Sequence, residues 1–184
     1  MSNKYKFHNP EGIYFVTLTV VEWIDVFTRT IYKDIFYESV KHCQENKDLD
    51  VYAYCIMTNH CHMNISSRGN SLSSIMRDLK RHTAEKIKLE IVSHPKESRR
   101  DWMIEIMKRE GVQNSNNDKF QFWIQDSHPI ELTTTQMITQ KLDYIHNNPV
   151  TAGFVLEPTF WKDSSAAFYE KEEESLIKLK NIFG

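Results

Sequence analysis

His60 and His62, one residue apart, are the side chains best placed in this sequence to hold a metal ion. They sit in MTNHCHMNIS, where His60 to Ser66 reads as an extended strand. In a strand, residues i and i+2 point to the same face, so both imidazoles can reach one ion while Cys61 turns to the apolar side. The bland reading of the same residues is two half-exposed histidines beside a turn. A zinc site that uses Cys61 is the weaker alternative, because that thiol faces away.

A second constellation is LDYIHNNPV, residues 142–150. Tyr144 falls near the C-terminal end of an expected helix, crowded by Asp143, His146, Asn147 and Asn148. Asn148 follows Tyr144 by four residues and Gln140 precedes it by four, so a continuous helix puts all three on one face. Pro149 works against helical geometry at Asn148 and predicts a stop near residue 147. A tyrosine in such a stripe is otherwise a packing residue, as Tyr54 is expected to be among its apolar neighbours. In FQFWIQDSHPIEL, residues 120–132, Asp126 and His128 could reach the end of a sheet near the other histidines. In SIMRDLKRHTAEKIK, the residues Arg77, Lys80, Arg81 and His82 make a basic helix face fit to hold phosphates. An ordinary solvated surface accounts for the same charges.

The elements that must position these groups are legible from periodicity. Residues 12–21 are β-branched and aromatic and read as a buried strand. Residues 31–46 repeat apolar groups at 32, 35, 36, 40 and 43, which is helical spacing. Residues 51–57 are a second strand, Thr58-Asn59 a turn, and 60–66 a third strand. Asn70, Ser71 or Ser73 can cap a helix running to about 91, with Leu72, Ile75, Met76, Leu79, Thr83 and Ile87 inside. A short helix over 98–110 and a polar loop, GVQNSNNDK, follow. Residues 119–126 are expected as the fourth strand, and Thr133–Thr135 opens the last helix. The order β-α-β-β-α-β-α predicts an α+β fold, a ferredoxin-like antiparallel sheet with helices on one face. One domain is expected over 1–184, with a catalytic core at about 10–155 and a surface-wrapping tail at 156–184.

Composition sets the remaining limits. With 184 residues, 40% hydrophobic and 12% aromatic, the chain has material for one real core. No apolar run approaches the ~18 residues of a membrane span, and the start lacks a signal-peptide core, so a cytoplasmic protein is expected. Three cysteines without a CxxC pair fit a reducing compartment. The net charge of −2 argues against a nucleic-acid partner if taken alone. Residues 71–109, however, hold ten basic and six acidic groups, and a local field matters more than a sum.

FVTLTV near the start, MTNHCH, SLSSIMRDLKRHTAEKI, FWIQDSHPIEL, KLDYIHNNPVTAGFV and then SSAAFY together resemble the HUH single-tyrosine transposases. That family comprises insertion-sequence transposases and REP-associated tyrosine transposases, and the resemblance spans about residues 10–170. Two positions depart from the family pattern: Thr58 stands where a proline is usual, and Cys61 where a larger apolar residue is usual. Neither removes a catalytic group.

The resemblance implies an enzyme, a tyrosine transposase that is a single-strand DNA endonuclease and strand transferase. Tyr144 would attack the scissile phosphate, giving a 5′-phosphotyrosine and a free 3′ hydroxyl. His60 and His62 would hold Mg²⁺ or Mn²⁺, with Asn148 the first choice to complete the protein ligands. The expected partner is single-stranded or hairpin DNA at the ends of a mobile or repeat element, bound by Arg77, Lys80 and Arg81 with Trp123 or Phe122 for stacking. A homodimer stays open, since insertion-sequence members often pair and REP-associated members can act alone. The rival readings are a domesticated protein that binds DNA hairpins without cutting, a metal hydrolase using His60, His62 and Asp126, and a module with no metal.

Overall fold

The computed structural model describes residues 6–113, 120–125 and 127–184. Four strands, β1 (Tyr14–Thr19), β2 (Leu49–Ile56), β3 (His60–Ser67) and β4 (Ile130–Glu131), form one sheet in the order β2-β3-β1-β4. Every adjacent pair is antiparallel. The helices are α1 (Thr30–Asn46), α2 (Leu72–Ser93), α3 (Arg100–Val112), α4 (Thr135–Thr151) and the short α5 (Ala166–Lys171). None of the described helices is long and apolar enough to cross a membrane.

Alternation along the strands gives the sheet two different faces. Tyr14, Val16 and Leu18 of β1, with Cys61, Met63 and Ile65 of β3, enter a large core with α1, α2 and α3. The α2 residues of that core, Leu72, Ile75, Met76, Leu79, Thr83 and Ile87, are those the helical spacing predicts. The fold class is the expected one, with one correction: α4 lies on the opposite face, not with the other helices. Phe15, Ala53 and Cys55 give that face an apolar patch of its own, and Leu142 and Ile145 of α4 settle on it.

Two further expectations are corrected. Residues 119–126 do not make the fourth strand: among the described residues, only Trp123 bridges to Val20, and the ladder resumes at Ile130 opposite Phe15. His128 has a positive φ of 38° and Pro129 has no N–H to donate, so these two residues interrupt a regular ladder just before Ile130. Likewise α4 does not stop before Pro149 but runs through it. It ends two residues after that proline in a Schellman motif, with Gly153 (φ 76°) donating to the Val150 carbonyl and Phe154 to that of Pro149. Ser71 takes the position before α2 without a side-chain capping bond, whereas Thr134 caps α4 by accepting from the Met137 amide at 3.2 Å.

Residues 163–184 wrap the outer edge of β2. The Ile56 amide donates to the Asp163 carbonyl, Ser165 donates to Tyr54, and Lys180 donates to Val51. The tail is more than a surface wrap, since Ser165, Ala166 and Ile177 are buried.

Candidate active site

The site is built where β3 meets α4. The β1–β3 register sets His60 opposite Thr19 and His62 opposite Thr17, with Leu18 and Cys61 turned to the large core between them. Both imidazoles therefore share the α4 face, their ring centroids 4.7 Å apart, while Cys61 is fully buried on the other side. His62 is only 4% exposed and stacks on Phe15 at 5.3 Å. Burial, with added repulsion from His60 and Lys141, holds its pKa down to about 3. Burial also lowers that of His60, while a hydrogen bond with Asn148 pulls it back up. Both rings are thus kept neutral, the form that binds metal.

Hydrogen bonds fix which nitrogen of each ring is available. The Asn59 side-chain amide donates to Asp25 Oδ1 at 3.0 Å, since a carboxylate can only accept. Its carbonyl oxygen therefore faces His60 Nδ1 at 2.7 Å and accepts a hydrogen bond from its N–H, leaving Nε2 with a lone pair. His62 Nδ1 lies 2.9 Å from Thr17 Oγ1, and its Nε2 lies 3.4 Å from Asn148 Nδ2. Asn148 thus meets His62 at Nε2 and also hydrogen-bonds with His60. Turning its amide would offer Oδ1 to an ion between them. Among the described residues, no cluster of three His, Cys, Asp or Glu surrounds the pair. The donor set is therefore two neutral imidazoles and an amide, which fits a divalent cation that fills its other positions with phosphate oxygens and water.

Tyr144 comes from the same helix one turn earlier. Its ring is 5.0 Å from His62 and 5.8 Å from Phe15, and the residue is 47% exposed. The continuation of α4 through Pro149 is what keeps Tyr144 and Asn148 on one face. Gln140 is exposed, and the residue that joins this face is Lys141, whose Nζ lies 4.5 Å from the Phe15 ring centroid and 5.2 Å from that of Tyr144. His146 faces away, buried and bonded to Ser165 Oγ at 2.8 Å, and burial lowers its pKa to about 4. Tyr54 is buried, with its hydroxyl 3.1 Å from Ser175 Oγ, as expected of a core tyrosine. Asp126 lies outside the described residues.

The sequence reading missed three contributors to this site. Lys141 could have been found by counting three residues back from Tyr144. Asn59 and Trp23 carry no periodic signal. Trp23 lies 5.5 Å from His60, ring to ring, and it and Glu22 have φ values of 53° and 51°. Left-handed geometry costs a residue with a side chain ~1–2 kcal/mol.

The expected DNA-binding residues lie on the other face of the sheet. A groove of about 850 Å³ runs between α2 and residues 120–125 and 127–129, and Arg77, Lys80, Arg81 and Lys88 line it. Arg77 and Arg81 are well exposed beside Asp78. Lys80 Nζ donates to the carbonyls of Ile124 and Gln125, both at 2.8 Å, so it ties α2 to the opposite wall. Trp123 is corrected: it is 4% exposed, its indole N–H donates to Thr83 Oγ1, and Phe27 stacks on it. No face is left for a base. In an alternating segment such as KFQFWIQD, nothing told which aromatic would be inside, and Phe122 and Trp123 both are.

Comparison with known proteins accords with this architecture. Residues 13–106 match the family described as "Transposase IS200 like". The chain belongs to that family of transposases. A solved structure of a REP-associated tyrosine transposase bound to a REP hairpin superposes with a TM-score of 0.65 at 14% identity, covering 99% of this chain and 93% of that one. That likeness bears on the fold. A putative transposase from Deinococcus radiodurans R1 aligns at a TM-score of 0.42 and 14% identity, over 79% of this chain and 97% of that one, too distant to bear on it. No curated protein matches the sequence.

Proposed function

We propose that the chain cuts and rejoins single-stranded DNA at the ends of a mobile or repeat element, with Tyr144 as nucleophile. The observation that carries this reading is the meeting of two chain segments some eighty residues apart: Asn148 Nδ2 lies 3.4 Å from His62 Nε2, and Tyr144 packs against the same ring. A packing tyrosine has no need of two neutral imidazoles and an amide around it.

His60, His62 and Asn148 would hold Mg²⁺ or Mn²⁺, which when bound would supply Lewis acidity toward the scissile phosphate. Asn59 and Thr17 keep the two imidazoles oriented through their Nδ1 atoms. Phe15 holds the His62 and Tyr144 rings in place. Tyr144 Oη forms a bond to phosphorus, and the bond from phosphorus to the 3′ oxygen breaks. The tyrosine proton leaves to solvent on the open side of the ring, and the released 3′ oxygen takes up another. Lys141 sets a positive charge beside the developing phosphotyrosine. A second 3′ hydroxyl then reverses the step, and the phosphotyrosine bond conserves the energy needed for rejoining. All these groups come from one chain, which supports a complete site in each copy, and a homodimer is not required for it.

DNA hairpin ends are the proposed ligand. Arg77 and Arg81 meet their phosphates, while Lys80 braces the groove. The hairpin bound to the similarly folded transposase supports this choice. A domesticated binder would share the groove but would not need the ordered histidines.

Incubation with hairpin oligonucleotides that carry single-stranded flanks, in Mn²⁺, is the test. A covalent protein–DNA adduct is expected on Tyr144, located by peptide mapping, and Tyr144→Phe should bind the same DNA without forming it. Cleavage without any adduct would sink the tyrosine mechanism in favour of a metal hydrolase, and binding without cleavage in favour of the domesticated binder.

A further inference from the structure

We propose that Trp23 is a base-stacking residue of the active site, holding the nucleobase next to the scissile phosphate at the His60–His62 pair; this rests on the single-strand reading above. Trp23 is 58% exposed, so a face of the indole stays open to solvent. It touches His60 ring to ring at 5.5 Å. A phosphate held at the histidines therefore brings its own nucleotide's base within reach of the indole.

The backbone beneath Trp23 is built for presentation. Val21 and Ile24 are both buried, so the chain must turn sharply between them. Glu22 and Trp23 make that turn with left-handed dihedrals that glycine or asparagine adopts far more readily. Packing gives no reason for a tryptophan there.

The loop is also anchored on every side. The Val21 amide donates to the Phe122 carbonyl, Arg99 donates to the Asp25 carbonyl, and Asp25 accepts from Asn59, which in turn orients His60. The indole is thus fixed to the same network that orients a proposed metal ligand. A rigid, exposed aromatic beside a phosphate site loses little freedom when a base stacks on it. Stacking is indifferent to base identity, so the contact strengthens binding and sets the strand's register without reading sequence.

The test uses the full-length chain in a Tyr144→Phe background with Mn²⁺, and two fluorescent probes of equal length: a single-stranded dodecathymidylate and the same backbone with every base removed. Trp23→Ala should weaken binding of the thymidylate about tenfold, in line with one lost stacking contact. Binding of the baseless strand should be unchanged, and Trp23→Phe should recover most of the thymidylate affinity. Mn²⁺ affinity measured without DNA should be the same in all variants, showing that His60 is undisturbed. Equal weakening of both probes, or no weakening of either, overturns the stacking role while leaving the single-strand reading standing. A parent protein that binds neither probe overturns both.

Discussion

His60 and Asn59 show how one hydrogen bond prepares a ligand. Because Asn59 must donate to Asp25, it can only accept from His60 Nδ1, and so Nε2 keeps the lone pair that the proposed metal would need. Asn59→Ala should lower Mn²⁺ affinity roughly ten- to a hundredfold, the usual effect of removing a group that orients a metal-binding histidine. Isothermal titration would show this, and an unchanged affinity would mean the tautomer is set elsewhere. His60→Ala or His62→Ala should abolish metal-dependent cleavage with the far-ultraviolet spectrum retained, and wild-type rates in either would exclude that histidine as a ligand. The buried imidazoles also make stability depend on pH. His62 and His146 are held to about 3 and about 4 in the fold, against ~6.5 in an unfolded chain. As pH falls below ~6.5 the unfolded chain takes up protons first, so stability declines down to those lower values and is unaffected by these two groups at higher pH. Urea midpoints between pH 7 and 4 should fall, with a shallower slope in His146→Gln.

Among the elements, α4 carries both Tyr144 and Asn148, and its ends decide whether they stay on one face. Thr134 caps the start, and Gly153 closes the end with φ 76° and open space where a Cβ would stand. Gly153→Ala should therefore cost about 1 kcal/mol through backbone strain alone, read from denaturant unfolding. No loss at all would show that the helix end refolds around it. The sequence made the regular elements plain, because β1 to β3 and α1 and α2 each declare one apolar period. It also set His60 and His62 on one strand face and Tyr144 on the helix, whereas Asn148 joins that face only because α4 runs past Pro149. It misjudged the end of α4, where tertiary packing and the Schellman motif outweigh the proline. It also misplaced the fourth strand, because the aromatic run around Trp123 fills the core while the shorter Ile130–Glu131 supplies the ladder. That α4 would cross to the other face was unreadable: Phe15, Ala53 and Cys55 look like any buried strand residues until the sheet's partners are known.

For the molecule as a whole, charge and edges matter more than any one contact. Arg77 and Arg81 stand exposed at the groove, so Arg77→Ala with Arg81→Ala should weaken hairpin binding and reduce the slope of log affinity against log salt by about one per lost phosphate contact. An unchanged slope would move the DNA path elsewhere. The tail has a different part. By taking up main-chain groups of Val51, Tyr54 and Ile56, residues 163–184 cover much of the outer edge of β2 against a second sheet. A chain cut before Asp163 should self-associate in light-scattering measurements at concentrations where the full chain does not. Absence of association would mean that β2 is protected by other means.

The two faces of the sheet carry cores of very different extent. One joins three helices, while the other has Phe15, Ala53, Cys55 and Met57 beneath Leu132, Leu142 and Ile145, rimmed by partly buried side chains such as Met137, Ile138 and Trp161. The proposed nucleophile therefore rides on the more lightly fastened layer. In native-state hydrogen exchange, the amides of α4 should open well before those of β1, β3 or α2. On heating, the proposed strand cleavage should fade at a temperature where the sheet is still intact, and return on cooling.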